Sequence, residues 1–165
     1  MFKKILVPIA FSKYTPGLLQ FASKVAEPLG ALLYIVNVIN ERDLEAVERI
    51  SSHGYKVDSE KYVETIRQER REELEKILNK IGMNESKHEF VFRVGDPTNE
   101  LLKLVVKDNI DLVLMGTKVK DIRHIFTGSV AEKIFRRCPV PVISYRDDDI
   151  ATELKKRVNK EVGRK

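Results

Sequence analysis

The chain has one cysteine, three histidines and no apolar run approaching the roughly 20 residues that span a bilayer. Each shortage excludes something. Cys138 has no partner for an internal disulfide, and its place after an amphipathic segment and before Pro139 suits a packed thiol rather than a nucleophile. His53, His88 and His124 have no recognisable metal-ligand spacing, so no metal site is expected. The apolar stretch after Lys3 and Lys4 runs into Ser12 and Lys13 instead of a small-residue cleavage site, which favours a strand over a signal peptide and points to the cytoplasm. No compact nucleic-acid-reading motif accompanies the formal charge of +5. Between Glu60 and Lys80 six basic residues are matched by six glutamates, and the tail mixes Asp147, Asp148 and Asp149 with lysines and arginines. The clearest basic excess is confined to Lys118 through Arg137. Neither a membrane nor a nucleic acid is therefore the expected partner.

What is present is an alternation of two apolar periods. Ile5 to Phe11 is a short apolar run closed by Ser12 and predicts a buried strand. Leu18, Phe21, Ala22, Val25 and Leu29 recur at helical spacing, with Thr15 placed to cap the helix, Pro16 to occupy its first turn and Gly30 to permit the exit. Ala31 to Ile39 is apolar almost throughout, as a strand covered on both faces would be. The pattern is poor from Asn40 to Ser59 and predicts a connection with a short helix near Asp43 to Ile50. Val63, Ile66, Leu74, Ile77, Leu78 and Ile81 then mark one face of a long helix from Glu60 to Ile81. Lys87 to Val94 alternates in part, so this strand belongs nearer an edge. Asp96 and Pro97 cap and open a helix bearing Leu101, Leu102, Val105 and Val106, and Ile110 to Gly116 is a fourth strand. Ser129 and Glu132 have capping-box spacing ahead of Ile134, and Val140 to Tyr145 is a fifth strand. Strands alternating with helices through short joints predict the α/β class, as a single doubly wound domain with a five-stranded parallel sheet. A Lys- and Glu-rich helix from Ile150 to Val162 ends the chain and either docks on a partner or frays.

In such sheets ligands collect beyond the carboxyl ends of the strands, where helix amino ends present free N–H groups. Those ends are Pro8 to Ser12, Asn37 to Asn40 and Met115 to Ser129. Gly116 and Gly128 would let a phosphate approach the backbone, Ser129 would add its hydroxyl, and Lys118, Lys120 and Arg123 would add charge. Gly128 and Ser129 are equally at home without a ligand, the serine being spent on the amides of its own helix. Both readings stand at this point.

The order of elements, with KKILVPIAFS at the start, LYIVNVI in the second strand, VGDP before the third main helix and LMGTKVKDIRHIFTGSVAEKIFRRCPVPVI near the end, resembles the universal stress protein family. The likeness runs from about Met1 to Tyr145 and implies a family domain over 1–146, with 147–165 as a charged tail or short helix. It also implies an adenine nucleotide alpha hydrolase-like fold and a homodimer, often built through the last strand. One branch of the family binds ATP and another does not. The positions resembling the nucleotide site are Pro8, Ile9, Ala10, Val38, Met115, Gly116, Thr117, Thr127, Gly128, Ser129 and Val130. Pro8, Ile9 and Val38 match walls of the adenine pocket and Met115 the residue beneath it.

Three departures fall on that site. ATP-binding members carry glycine, two residues, glycine, nine residues, then glycine with serine or threonine. Here the second glycine is Val119, and only eight residues, Lys120 to Thr127, precede Gly128. Valine strongly disfavours the positive φ that glycine adopts, and a shorter loop re-aims its amides. The aspartate that ATP-binding members place near the end of the first strand is Ala10, so no carboxylate meets a ribose or metal there. Basic side chains and the Thr127 hydroxyl offer partial compensation. Asp96 is better used as a cap than as an acid or base, and His53, His88 and His124 assemble no catalytic constellation. No catalytic residue is assigned.

The leading expectation is a noncatalytic regulatory or interaction protein of stress type, with reduced or absent ATP binding and no certain cofactor. An ATP-binding dimeric switch is the alternative, and a weak ATPase comes third. Val140, Val142, Ile143 and Tyr145, on a strand that ends the alternating core, are the expected homodimer contacts. Their competing role is purely intrachain packing.

Overall fold

The five apolar runs pair side by side, and every pairing is parallel. The computed structural model describes residues 1–45, 59–83, 87–117 and 130–163. Its strands are β1 (Lys4–Pro8), β2 (Leu32–Asn40), β3 (His88–Gly95), β4 (Leu112–Gly116) and β5 (Val142–Tyr145). Its helices are α1 (Thr15–Ala26), α2 (Ser59–Ile81), α3 (Pro97–Lys107), α4 (Val130–Arg137) and α5 (Asp148–Val162). A short helical stretch at 41–45 comes after β2. The remainder of the helix expected near Asp43 to Ile50 lies outside the described residues.

The strand order is β3-β2-β1-β4-β5, so β3 and β5 are the two edges. Side-chain alternation sorts the strands' residues onto two faces. Ile5, Val7, Leu33, Ile35, Leu112 and Leu114 pack with Leu18, Leu19 and Ala22 of α1 and Leu74 and Leu78 of α2. Leu6, Val36, Val113 and Met115 pack on the opposite face with Leu101, Leu104 and Val105 of α3 and Ile134 of α4. The chain thus winds from β1 outward to β3 over one face, then crosses back to β4 and β5 over the other. That reversal places a topological switch point between the carboxyl ends of β1 and β4.

Several boundaries differ from the sequence reading, each for a local reason. β1 stops at Pro8 rather than Phe11, because Phe11 has φ +48° and cannot continue an extended strand. Thr15 does not cap α1. Its hydroxyl instead accepts from the Ser12 N–H at 3.0 Å, and Tyr14 occupies the cap position without a side-chain bond. β4 begins at Leu112, after Asn109 turns the chain at φ +51°. β5 begins at Val142; Pro141 has no N–H to give the ladder, although its carbonyl still accepts from the Val113 N–H at 3.0 Å. The cap on α3 is as expected, with Asp96 Oδ1 accepting from the Asn99 N–H at 2.9 Å. α5 starts at Asp148 because Asp147 caps it, accepting from the Asp149 N–H at 3.2 Å. The Ser129 cap expected for α4 lies outside the described residues.

Candidate functional site

The strand ends at the switch point are held by backbone and side-chain bonds before any ligand is considered. The Ile9 N–H donates to the Val36 carbonyl at 2.8 Å, extending the ladder one residue past β1. Asn37, only 7% exposed, donates its Nδ2–H to the Ile9 carbonyl at 3.0 Å and so ties the end of β1 to β2. The next residue but one, Phe11, sits in the left-handed region that side chains avoid. Its ring packs partly into the α1–α2 face, and the Arg70 guanidinium lies 4.8 Å from its centroid. Strain of this kind persists only where the surroundings over-determine it, and here it shapes the turn immediately beyond Ala10.

Alternation divides the sequence-predicted site residues between the two faces. Val38, Met115 and Val130 gather in the apolar cluster under α3 and α4, and Pro8 points to that face by strand parity with Leu6. Ile9 turns the other way, into the cluster under α1 and α2. Gly116 lies between, with a Cβ built on it standing 3.7 Å from Leu18 Cδ2 and no positive φ, so neither backbone nor packing requires glycine there. Ala10 is exposed at the lip of the crevice. Thr117 is tied to the edge strand: its N–H donates to the Tyr145 carbonyl at 3.3 Å, and its hydroxyl lies 3.4 Å from Ser144 Oγ and 3.5 Å from Arg146 Nη1. Thr127, Gly128 and Ser129 lie outside the described residues, as do Lys118, Val119, Lys120 and Arg123.

A cavity of about 70 Å³ opens at the crevice between Ala10, Ser12, Thr15, Gly116, Tyr145 and Asp147. It has room for one or two waters, whose share of liquid volume is about 30 Å³ each. Sequence reasoning missed Tyr145 and Asp147 as parts of its wall. They arrive because Gly17, in the first turn of α1, leaves space for the Tyr145 hydroxyl, while Tyr145 stacks on Phe21 with centroids 5.3 Å apart. Burial, with the Asp147 and Asp148 carboxylates nearby, raises the Tyr145 pKa above its ordinary value. A tyrosine spaced two residues before an aspartate at a helix start was the available signal.

Other polar candidates stay apart from this crevice. Asp96 is engaged in capping α3, and His88, at the start of β3, has a buried Nδ1 with no partner among the described residues. His53 and His124 lie outside the described residues. Among the described residues no cluster of three or more His, Cys, Asp or Glu side chains could hold a metal ion, and no helix is long and apolar enough to cross a membrane.

A five-stranded parallel sheet with a crevice at its switch point, lined from the ends of β1 and β4 and the starts of α1 and α5, defines a doubly wound α/β domain of the kind that takes ligands beyond its strand ends. The universal stress protein family model matches residues 1–146, and the chain belongs to that family. It is 25% identical over 155 residues to universal stress protein MJ0577 of Methanocaldococcus jannaschii, an alignment covering 87% of this chain and 94% of that protein. The solved structure of MJ0577 superposes with a TM-score of 0.69 at 23% identity, covering 90% of this chain and 99% of that one. A universal stress protein from Archaeoglobus fulgidus solved in complex with dAMP superposes with a TM-score of 0.56 at 20% identity, covering 88% of this chain and 98% of that one. A universal stress protein solved in complex with cAMP superposes with a TM-score of 0.59 at 18% identity, covering 88% of this chain and 97% of that one.

Proposed function

We propose that this chain is a noncatalytic regulatory or interaction protein of the cytoplasm whose crevice has reduced or absent affinity for ATP. The observation that carries the proposal is Ala10. Its methyl stands exposed at the lip of the crevice where ATP-binding members of the family carry a carboxylate, while Val38 and Met115, which resemble the family's adenine-pocket positions, pack in the apolar cluster under α3 and α4. Apolar walls bind an adenine ring without discriminating between the groups attached to it. Ribose and phosphates need directed polar partners, and a charged hydrogen bond lost from such a site typically costs about 1.5–3 kcal/mol. Native mass spectrometry of gently purified protein tests this: the expected spectrum shows chain without retained ATP, and a stoichiometric ATP adduct overturns the reading.

A second reading, an ATP-dependent switch, draws on Thr117. This residue leads directly from β4 toward the basic loop and is bonded to Ser144, Tyr145 and Arg146. Occupancy of the loop would then be felt at the β5 edge. Amide exchange of β5 with and without ATP separates the readings, since only a switch protects β5 on addition of nucleotide. For the homodimer, β5 supplies an edge whose backbone pairs on one side with β4, flanked by half-buried Val142, Ile143 and Tyr145 and by exposed or half-buried neighbours including Val140. Sedimentation of the intact chain beside Val142→Asp, with circular dichroism to confirm folding, tests that contact; an unchanged dimer removes β5 as the interface.

A further inference from the structure

The crevice at the switch point is walled in part by chain that lies outside the family domain. The family match ends at residue 146, and Asp147 and Ile150 beyond it line the cavity together with Ala10, Ser12 and Thr15. What they leave is about 70 Å³, against the roughly 300–1,000 Å³ of sites that take small organic ligands. With the start of α5 in place, this cavity is too small for a nucleotide.

Two side chains hold α5 there. Ile150, in its first turn, is 7% exposed, whereas Ala151 and Leu154 are half-buried and Val158 and Val162 are 55% and 67% exposed. One isoleucine at the crevice is thus the main apolar anchor of the helix. Asp147 is the second. Its Oδ1 caps α5 by accepting from the Asp149 N–H at 3.2 Å, and its Oδ2 lies 3.6 Å from where a Cβ on Gly17 would stand, in the first turn of α1. The amino end of a helix favours an anion, so this carboxylate supplies from within the chain the negative charge that α1 would otherwise draw from a ligand. An incoming phosphate would meet it as a like charge. Tyr145, stacked on Phe21 and seated over Gly17, fixes the chain where it leaves β5 and so delivers α5 to the crevice.

We infer that the start of α5 is an autoinhibitory latch: Asp147 and Ile150 exclude an adenine nucleotide from the crevice, and α5 leaves before one enters. The inference rests on the proposed reading of the crevice as a nucleotide site of reduced affinity, and adds to the absent carboxylate at Ala10 a cause that is reversible. A helix of 15 residues anchored through its first turn opens more readily than the sheet beneath it, and the open fraction scales the apparent affinity.

Two substitutions in the full chain weaken the latch in different ways, each with circular dichroism to confirm folding. Ile150→Ala removes the plug, while Asp147→Asn keeps the shape and the helix cap and removes the charge. Calorimetric titration with ATP, in the native and in an Ala10→Asp background, reads the effect. Ile150→Ala is expected to tighten ATP binding on the order of tenfold, and Asp147→Asn severalfold. Amide exchange gives a readout that needs no nucleotide: Ile150→Ala is expected to accelerate exchange in α5 while β1 and β4 stay protected. Bound ATP is expected to accelerate exchange in α5 as well, because the two exclude each other. Exchange in α5 unchanged by Ile150→Ala, no gain in ATP affinity in either background, or ATP bound with α5 exchange unchanged or slowed overturns the latch. Should Ile150→Ala fail to fold, an Asp147→Asn chain with no gain overturns it alone. Submicromolar ATP binding by the native chain that accelerates α5 exchange would instead overturn the reading of reduced affinity and support the latch.

Discussion

Replacing Gly17 with alanine sets two effects of opposite sign against each other. In a helix, alanine is favoured over glycine by up to about 1 kcal/mol. A methyl on Gly17, however, would lie 2.5 Å from the Tyr145 hydroxyl oxygen and 3.4 Å from Cζ, with Asp147 Oδ2 at 3.6 Å. The first distance is shorter than nonbonded carbon and oxygen tolerate, and the ring cannot swing away freely because it stacks on Phe21. Overpacking of this kind costs about 1–3 kcal/mol, so Gly17→Ala is expected to destabilise the chain by about 1 kcal/mol net. Tyr145→Phe removes the offending oxygen and leaves the ring edge near ordinary contact. In that background the same glycine substitution should become neutral or stabilising by up to about 1 kcal/mol. Urea unfolding of the four proteins in a double-mutant cycle measures the coupling. If Gly17→Ala stabilises the native chain by the full propensity difference, Tyr145 does not fill that space and the described joint between α1, β5 and α5 is wrong.

Two further perturbations test the frame around the crevice. Asn37→Ala removes the bond to the Ile9 carbonyl, but it also removes an Oδ1 that is buried without a partner among the described residues, so the expected loss is near the low end of the usual range, about 1 kcal/mol. Amide exchange at Ile9 should accelerate with it; exchange as slow as in the native chain would show that Asn37 does not hold the end of β1. Asp111 accepts from the Lys3 and Lys4 N–H groups at 2.8 and 2.9 Å, and these bonds lower its pKa below the ordinary carboxylate value. A carboxylate of lowered folded pKa contributes stability above its unfolded pKa, about 3.9, and loses it as pH falls through the folded value. Asp111→Asn should therefore be less stable than the native chain at neutral pH, with the gap closing in acid below about pH 4. A gap that persists unchanged to about pH 2 would contradict the assignment.

The fold was legible because both faces of the sheet are covered. Ala31 to Ile39 could be read as buried on both sides from its composition, and β2 runs from Leu32 to Asn40 between β1 and β3. The partial alternation of Lys87 to Val94 signalled an edge, and β3 is one. Local hydrogen-bonding choices were less legible. Thr15 and Ser12 can each cap the other's turn, and only the approach of the chain from β1 decides that Thr15 accepts from Ser12. Phe11 reads as part of a strand by its apolarity, because nothing in its side chain announces a positive φ. The walls of the crevice at the ends of β1 and β4 come from strand register, whereas Tyr145 and Asp147 enter it through a long-range fit at Gly17. A glycine in a first helical turn carries no label for the residue, far along the chain, whose hydroxyl it admits.

Ala10 carries the proposal of reduced ATP binding, and placing a carboxylate there is the most direct test of it. Calorimetric titration of nucleotide-free protein with ATP, with and without magnesium or manganese, compares the native chain with Ala10→Asp. The native chain is expected to bind no tighter than weakly, and the restored carboxylate to improve affinity by about tenfold, the worth of a charged hydrogen bond at a partly solvated site. Submicromolar binding of ATP by the native chain would contradict the account, because the crevice would then hold the nucleotide without the carboxylate.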